Sequence, residues 1–504
     1  MRGGRSLGYA GAALALWLVA GAAAYVYASV NNTLRANGRW VASKALLERA
    51  VMGGRTYANS RQTLAGERLD LGRWHGFQEV LYRDAVELRD VRFRFKLEEE
   101  AYLCFMFDRT SEGFSGIRLS AAPRFPSLAF EADGLGRFVG RRELDVGGVP
   151  AGEWIGCRLS FSGEGATLRL ADREELVIPL GRRTAGTFGF RCGIRPAYVD
   201  GIAAELVGGA RVRESFFPAG LFLRALVPGV IASSLLVWAA YRARRRLSRL
   251  PRRALAAAAG LGLGLVLTTG LGLQLFRSRF AGNYPSDDYW AELDWVAREA
   301  DSILEGIRRD YAPAPAEGVV RVLFLGTSQT WGSGAAVEAE TFVRVIERRL
   351  NATVEGQRIE CLNAGVSGAY SPRLAAMYVG SLLELEPDVV VVNLSNNDLK
   401  PEAFATALET IARAGAERGV DTLFCLEANS VEHRPGELPM HATMRRVAEE
   451  LDVPLIDLHA YLGERSDTGF LWWDLVHPTS YGHHLIAARL VPELARAAEA
   501  IGSR

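Results

Sequence analysis

The sequence predicts a multidomain protein with three transmembrane helices, a β-sandwich domain and a C-terminal α/β domain. Three observations support this fold class. Three long runs are nearly free of charge, a central region alternates apolar and polar residues, and a final region alternates short apolar runs with amphipathic stretches. At 504 residues the chain is long enough for each domain to bury its own core.

The composition excludes several classes of protein. The net charge is +1, from 59 basic and 58 acidic residues, so no overall field attracts nucleic acid and no such partner is predicted. The five cysteines lack metal-ligand spacing, so we predict no metal and no cofactor. Cys157 and Cys192 either pair in an oxidising compartment or are small buried side chains.

The first apolar run, residues 8–30, follows the basic start MRGGR and predicts a transmembrane signal anchor. Its 23 uncharged residues suffice to cross a bilayer. A cleaved signal peptide is the alternative, because Val26 to Ala28 resembles a small-residue cleavage site.

Two further runs, 225–241 and 254–276, predict a transmembrane hairpin around the basic turn 242–253, which holds seven arginines. Positive residues favour the cytoplasmic side, so this turn and MRGGR would both lie in the cytoplasm of a bacterial-type cell. Both larger domains would then be extracytoplasmic, in the periplasm. The alternative, a buried helical hairpin in a soluble protein, leaves the crowding of charge between the runs unexplained.

Residues 31–217 form the first predicted extracytoplasmic domain. Between 88 and 206, segments such as VRFRFKL and YLCFMF alternate with period two at about ten-residue spacing, which is typical of a sandwich or jelly roll. The order of ADGLGRF, GEW, GTFGF and AYVDGIAAEL resembles concanavalin-like and laminin-G-like jelly rolls. That resemblance implies a carbohydrate-binding or packing role, since no carboxylate pair suits glycoside hydrolysis.

Residues 277–317 predict a helical connector, and 318–504 predict an α/β domain. Five apolar runs alternate with amphipathic stretches, which indicates a parallel sheet wrapped by helices. The runs are VVRVLFL, RIECLN, DVVVVNLS, DTLFCLE and VPLIDL. In such sheets, functional side chains follow the carboxyl ends of the strands.

Four short motifs follow these strands and suit acyl transfer. They are Gly326-Thr327-Ser328, Asn363 to Gly368, Ser395-Asn396-Asn397-Asp398 and Asp474-x-x-His477. A serine hydroxyl becomes nucleophilic when a histidine accepts its proton, and an aspartate can orient that histidine. Backbone N–H groups beside a glycine, together with an asparagine amide, can stabilise the oxyanion.

These motifs resemble those of the SGNH hydrolases, also called GDSL esterases, over residues 319–497. The resemblance implies a flavodoxin-like α/β/α fold with Ser328, Asp474 and His477 as the catalytic triad. The backbone N–H groups of Ser328 and Gly368, with the Asn397 amide, would form the oxyanion hole. The sequence departs from the family at two positions, because Thr327 replaces the aspartate of Gly-Asp-Ser and Ser395 replaces the first glycine of Gly-x-Asn-Asp.

A nucleotide-binding loop fits the first motif less well. No lysine follows Gly332 and Gly334, as a phosphate-binding loop requires, and Val337 stands where a dinucleotide-binding fingerprint needs its third glycine. Other candidate residues lie near the motifs. His483 and His484 fit a helix beside the site, His433 and His441 a substrate loop, and Trp472 and Trp473 either a pocket wall or the core.

The expected function is that of a membrane-anchored extracytoplasmic serine esterase, which hydrolyses acyl esters, above all acetyl esters, on carbohydrate. Three alternatives share the same residues: an O-acyltransferase acting on cell-envelope glycan, a lipid esterase, and a non-catalytic polysaccharide-binding component of the envelope. The expected partners are an acylated small molecule or glycan and the membrane. The sequence names no protein partner.

Overall fold

The computed structural model describes most of the sandwich region and nearly all of the α/β region. The described residues are 14, 16–22, 24, 40–42, 64–65, 68–71, 79–163, 165–180, 185–193, 195–214, 219–242, 293–432 and 438–503.

Residues 40–214 contain fifteen β-strands among the described residues. They are β1 Trp40–Ala42, β2 Leu64–Ala65, β3 Arg68–Leu71, β4 Glu79–Tyr82, β5 Leu88–Leu97, β6 Tyr102–Arg109, β7 Gly113–Ser120, β8 Leu128–Asp133, β9 Phe138–Glu143, β10 Ile155–Ser162, β11 Gly165–Leu170, β12 Leu176–Pro179, β13 Thr187–Cys192, β14 Ala197–Leu206 and β15 Arg211–Glu214.

These strands form two antiparallel sheets that share one apolar core. The first sheet has the order β1-β4-β13-β6-β7-β8-β9, and the second has the order β12-β11-β10-β5-β14-β3-β2, with β15 beside β14. Alternation along β5 buries Val91, Phe93 and Phe95 and turns the residues between them outward. Cys157 and Cys192 are buried free thiols on different sheets, so they do not form the disulfide that was one of the two possibilities.

The C-terminal part begins with helix α2, which follows a separate helix, α1. The helices are α1 Ala219–Arg242, α2 Leu293–Asp310, α3 Ser328–Trp331, α4 Phe342–Thr353, α5 Ser371–Met377, α6 Pro401–Glu417, α7 Pro439–Leu451, α8 Leu458–Gly463 and α9 Ser480–Gly502. The strands are β16 Val319–Gly326, β17 Arg358–Gly365, β18 Val389–Leu394, β19 Asp421–Leu426 and β20 Leu455–Asp457. A π-helical turn, Tyr378–Leu382, and two 3-10 turns, Glu338–Glu340 and Leu383–Leu385, complete it.

These five strands form one parallel sheet with the order β17-β16-β18-β19-β20. Helices α4 and α9 pack on one face, and α5, α6 and α7 pack on the other. The order reverses between β16 and β18, and ligand sites of such sheets lie beyond this switch point. The fold therefore directs attention to the residues that follow β16 and β18.

The prediction of three transmembrane helices is wrong. Within the described part of the chain, no helix combines the length and the apolar character needed to cross a membrane. The run 225–241 lies in α1, where Arg224 and Arg242 limit the uncharged stretch to 17 residues, at the short end of the about 17 to 25 that can span a bilayer. Pro228 also removes a backbone donor within it.

The other two predicted spans fall largely where the structure gives no description. The run 254–276 lies outside the described residues, as does the turn beyond Arg242. The run 8–30 is described only at residues 14, 16–22 and 24.

Candidate active site

Ser328 lies just beyond the carboxyl end of β16, at the switch point of the sheet. It opens the short helix α3, which turns back at Gly332 in a left-handed conformation, φ 112°. This helix rests directly on the strand ends. A Cβ atom at Gly326 would collide with Thr330, and one at Gly365 would collide with the backbone of Trp331. Two glycines thus allow the close packing that presents the serine.

Asp474 and His477 lie in one tight turn of the loop between α8 and α9, residues 464–479, which we call the His477 loop. Asp474 Oδ1 accepts hydrogen bonds from the backbone N of Val476, at 3.0 Å, and of His477, at 2.8 Å. The backbone N of Trp473 donates to the carbonyl of His477, at 2.8 Å. The Asp-x-x-His spacing therefore folds the carboxylate back against its own histidine.

The structure brings Ser328, His477 and Asp474 into hydrogen-bonding contact. Ser328 Oγ lies 2.8 Å from His477 Nε2, and His477 Nδ1 lies 2.8 Å from Asp474 Oδ2 and 3.0 Å from Oδ1. With Nδ1–H donating to the carboxylate, Nε2 is the acceptor for the serine proton. The arrangement can deprotonate Ser328 as it attacks a carbonyl carbon.

The two other predicted site residues lie at neighbouring strand ends. Gly368 follows β17 with φ +77°, a left-handed conformation that glycine adopts without strain. Asn397 follows β18, and its Nδ2 donates to the carbonyl of Ala369 at 2.8 Å. Since an amide nitrogen carries two protons, one remains for a substrate oxygen. Gly368 and Asn397 are partly exposed, as are Ser328 and His477, so a ligand can reach them.

Asp398 holds the Asn397 segment to the start of α5. Its Oδ1 accepts hydrogen bonds from the backbone N of Ser371, at 3.0 Å, and from its hydroxyl, at 2.6 Å. Burial raises the pKa of Asp398, against the opposing effect of these two hydrogen bonds. The side chain thus links the third motif to the start of α5, three residues after the second motif ends.

Glu427, directly after β19, is a fully buried residue that the sequence analysis missed. The Thr327 hydroxyl donates to its Oε1, and the backbone N of Asn396 donates to its Oε2 at 2.7 Å. Burial raises the pKa of this carboxyl to about 7, although the hydrogen bonds from Thr327 and Asn396 lower it. Glu427 therefore supplies an acidic group beneath the motif in which Thr327 replaces the family's aspartate.

The second departure, Ser395, is also held by buried partners. Ser395 has φ +157°, a backbone conformation that glycine usually occupies. Its Oγ lies 3.2 Å from Nε2 of the buried His441, which also lies 3.0 Å from the carbonyl of Glu427. Burial lowers the pKa of His441 to about 4. His441 thus supports the strand end rather than a substrate loop.

Gln329 was also missed, and it links the His477 loop to the sheet. Its Nε2 donates to the carbonyls of Ala428 and Val476, both at 2.6 Å. A polar residue directly after the nucleophile was the available signal, as was a glutamate that ends the apolar run DTLFCLE.

The remaining candidates take structural positions. His483 is buried, accepts from the backbone N of Phe342 at 3.3 Å, and has a pKa lowered by burial to about 3. Burial also lowers the pKa of the half-buried His484. Trp472 is buried, whereas the partly exposed Trp473 ring lies 5.9 Å from the His477 ring and flanks the site. His433 lies outside the described residues.

The first sheet of the sandwich packs directly on the His477 loop. Phe138 N donates to the Thr468 carbonyl, and Phe470 N donates to the Gly136 carbonyl, both at 2.9 Å. The Phe470 ring lies 5.8 Å, 5.6 Å and 5.3 Å from three sandwich rings, those of Phe114, Phe130 and Phe138.

Charged side chains reinforce this contact. Arg118 pairs with Asp467 at 2.7 Å. Arg191 Nη2 donates to the Trp472 carbonyl at 2.6 Å, and its guanidinium lies 4.4 Å from the centre of the Phe470 ring. The backbone that carries Asp474 is therefore fixed, two residues away, by the sandwich.

Comparison with known proteins shows which family the C-terminal region resembles. Residues 324–485 match the model of the GDSL-like lipase/acylhydrolase family. No curated protein matches the sequence. Among solved structures, a two-domain esterase (CEX) active on acetylated mannans is similar at 21% identity over 38% of this chain and 52% of its own, with TM-score 0.33. The match thus spans about half the length of that esterase.

Two shorter structures are similar as well. The acetyl xylan esterase AlAXEase has 20% identity over 35% of this chain and 100% of its own, with TM-score 0.31. A lipase/acylhydrolase from Enterococcus faecalis has 22% identity over 35% of this chain and 96% of its own, also with TM-score 0.31. The family match confirms the resemblance seen in the four motifs: residues 324–485 of this chain form a domain of the GDSL-like lipase/acylhydrolase family of ester-hydrolysing serine enzymes.

Proposed function

We propose that the chain is a serine esterase whose C-terminal domain hydrolyses acyl esters, with acetyl groups on carbohydrate as the substrate class. The observation that carries the proposal is the unbroken contact from Ser328 Oγ through His477 to Asp474, with 2.8 Å at each step. The serine attacks the ester carbonyl while Nε2 of His477 accepts its proton.

The oxyanion that forms is stabilised by the backbone N–H groups of Ser328 and Gly368 and by the Asn397 amide. His477 then gives its proton to the leaving alcohol, and an acyl group remains on Ser328. In the second half of the reaction, His477 accepts a proton from water as the water oxygen attacks the acyl carbon. The bond from Ser328 Oγ to that carbon then breaks, and His477 returns the proton to Oγ, which releases the carboxylic acid and restores the serine.

Carbohydrate as the alcohol is the finer part of the proposal. It is supported by the sandwich that packs against the His477 loop, because a second domain beside the active site can hold an extended substrate. It is also supported by Trp473, whose partly exposed ring beside His477 offers an apolar wall to an acetyl methyl group or to the face of a sugar ring.

The test is hydrolysis of p-nitrophenyl acetate, butyrate and octanoate by the full chain and by its Ser328→Ala variant. Ser333→Ala is the matched control, because its hydroxyl lies on the same turn and has no hydrogen-bond partner among the described residues. We expect Ser328→Ala to lose at least about 10³-fold in kcat and Ser333→Ala to retain activity. Equal activity of wild type and Ser328→Ala would contradict the serine mechanism.

The chain-length profile and an added acceptor separate the remaining candidates. Acetate as the fastest ester supports acetyl esters, and octanoate as the fastest supports a lipid esterase. Acetyl transfer to an added glycan in excess of hydrolysis would identify a transferase. A folded chain without either reaction would indicate the non-catalytic binding role.

Placement of both domains outside the cytoplasm stays a prediction from the basic segments of the sequence. Hydrolysis of a charged, membrane-impermeant acetate ester by intact cells that express the chain would support it. Activity that appears only after lysis would contradict it.

A further inference from the structure

Three arginines lie side by side on the outer face of the second sandwich sheet. Val91, Phe93 and Phe95 face the core, so Arg92 and Arg94 of β5 face away from it. The register pairs Arg92 with Arg158 of β10, and Arg158 with Arg169 of β11. Three adjacent strands thus carry a guanidinium at the same level.

Such a row of like charges destabilises the sheet unless negative groups neutralise it, since like charges directly opposite on neighbouring strands repel each other. Asp90 offsets part of the cost: its carboxylate accepts from Arg92 Nε at 3.0 Å and from Arg158 Nε at 2.7 Å. These bonds use only the Nε donors. Arg169 makes no ion pair with any residue that the structure describes.

The row lines an open groove of about 350 Å³. Its lining includes Arg92, Arg94, Arg158 and Arg169 and no acidic residue, although Arg94 is paired with the neighbouring Asp200. Gly156 pairs with Arg94 across the strands and contributes no side chain to the groove. The space beside it is empty, because a Cβ atom at this position would meet nothing within 4 Å. Trp154, with 39% of its surface exposed, does not line the groove itself, but its ring lies 5.6 Å from the guanidinium of Arg94, which does.

We propose that this groove binds an anionic polysaccharide, with sugar carboxylates held by the arginine row. Guanidinium groups match carboxylates in charge and in planar two-point geometry. Trp154 adds an aromatic face on which a sugar ring can pack. The choice of a glycan over other polyanions rests on the proposed function. The groove itself lies on the sheet that faces away from the catalytic domain, so its ligand binding can be tested separately from esterase activity.

Gly156→Glu is the sharpest variant, because it places a carboxylate inside the groove at a position with room for a side chain. Gly163→Glu is the matched control, since Gly163 also has nothing within 4 Å of a Cβ atom but does not line the groove. Both variants add the same charge to the same domain. Neither touches the triad, so both should hydrolyse p-nitrophenyl acetate like the wild type.

The measurement is binding of the full chain to polymannuronate, to neutral mannan and to anionic phospholipid vesicles. We expect polymannuronate to bind with an affinity that falls as salt rises. We also expect Kd to rise about tenfold or more in Gly156→Glu and to stay unchanged in Gly163→Glu.

Three results would overturn the proposal. They are equal binding of polymannuronate and mannan, equal Kd for the two variants, and binding of the vesicles but not of polymannuronate. None of these results depends on Ser328. Loss of esterase activity in Ser328→Ala with binding unchanged would leave the groove assignment standing, and binding without any esterase activity would contradict only the proposed function.

Discussion

The two sheets of the sandwich turn opposite kinds of surface outward. The first sheet presents Phe114, Phe130 and Phe138, and the catalytic domain covers them with Phe470. The second sheet presents the arginine row to solvent. Both sheets follow the same alternation, so the difference lies in what meets each outer face. The covered sheet has become part of the support for the active site, and the open sheet is left for a soluble ligand.

The largest expected difference between the two faces is in stability. Phe470→Ala removes a ring that packs against three sandwich rings and leaves a cavity at the domain contact. We expect a loss of about 3 kcal/mol or more in the free energy of unfolding. Trp154→Ala on the open face should cost less than about 1 kcal/mol, because the ring is partly exposed.

Thermal and urea unfolding of both variants would measure this difference. Equal losses would mean that Phe470 contributes little across the domain contact. A large loss in Phe470→Ala together with two separate unfolding transitions would show that the ring couples the domains.

A smaller effect is expected on catalysis. Arg191→Met removes the hydrogen bond to the Trp472 carbonyl and loosens the backbone that carries Asp474. We expect kcat for p-nitrophenyl acetate to fall about 10- to 100-fold with KM nearly unchanged, since a misplaced catalytic group slows chemistry more than binding. Arg169→Met on the open face should leave both constants unchanged.

The split between kcat and KM identifies a positioning role. If Arg191→Met lowers only the fraction of folded enzyme, KM and the kcat per folded molecule will both match the wild type, and the sandwich will be only a packing partner. Arg191→Lys should restore little of the loss, because lysine cannot reproduce the planar fork.

Local patterns in the sequence account for much of the fold and for the motifs of the candidate site. Strands such as β16 and β18 are apolar runs of limited length, and parallel strands bring Ser328 and Asn397 to one edge without further information. The Asp474-x-x-His477 spacing likewise specifies a turn that joins the two side chains.

Contacts between distant segments could not be predicted in this way. Glu427 lies a hundred residues from Thr327, and only the parallel pairing of β18 with β19 carries it beneath the first motif. The sequence likewise did not predict which outer face of the sandwich the His477 loop covers. The run 225–241 was misleading because its apolar content suggested a membrane span, whereas its helix, which includes Arg224, Pro228 and Arg242, is not long and apolar enough to cross a membrane.

The smallest expected effect is on the pH dependence of the free energy of unfolding. It compares two carboxylates, one buried beneath the active site and one on the open face of the sandwich. Glu427 is fully buried and has a pKa raised from its usual 4.5 to about 7, chiefly by burial. Asp90 lies among arginines on the open face; burial there raises its pKa, but hydrogen bonds from Arg158, Ser160 and Arg92 outweigh it and leave the pKa below its usual value.

The sign of the pH dependence differs accordingly. Below about pH 4.5, Glu427 is protonated in both folded and unfolded chains. As the pH rises toward 7, the unfolded chain ionises first, so stability should fall by up to about 1.4 kcal/mol per pH unit. The contribution of Asp90 is present above its usual pKa and is lost only as the pH falls into the acid range.

Unfolding free energies of wild type, Glu427→Gln and Asp90→Asn between pH 5 and 8 would separate the two. Glu427→Gln should flatten the decline between pH 5 and 7, whatever constant offset arises from its altered hydrogen bonds to Thr327 and Asn396. Asp90→Asn should keep the slope of the wild type throughout this range. A wild-type slope in Glu427→Gln would mean that another group titrates there and that Glu427 is already ionised at pH 5, with its hydrogen bonds outweighing burial.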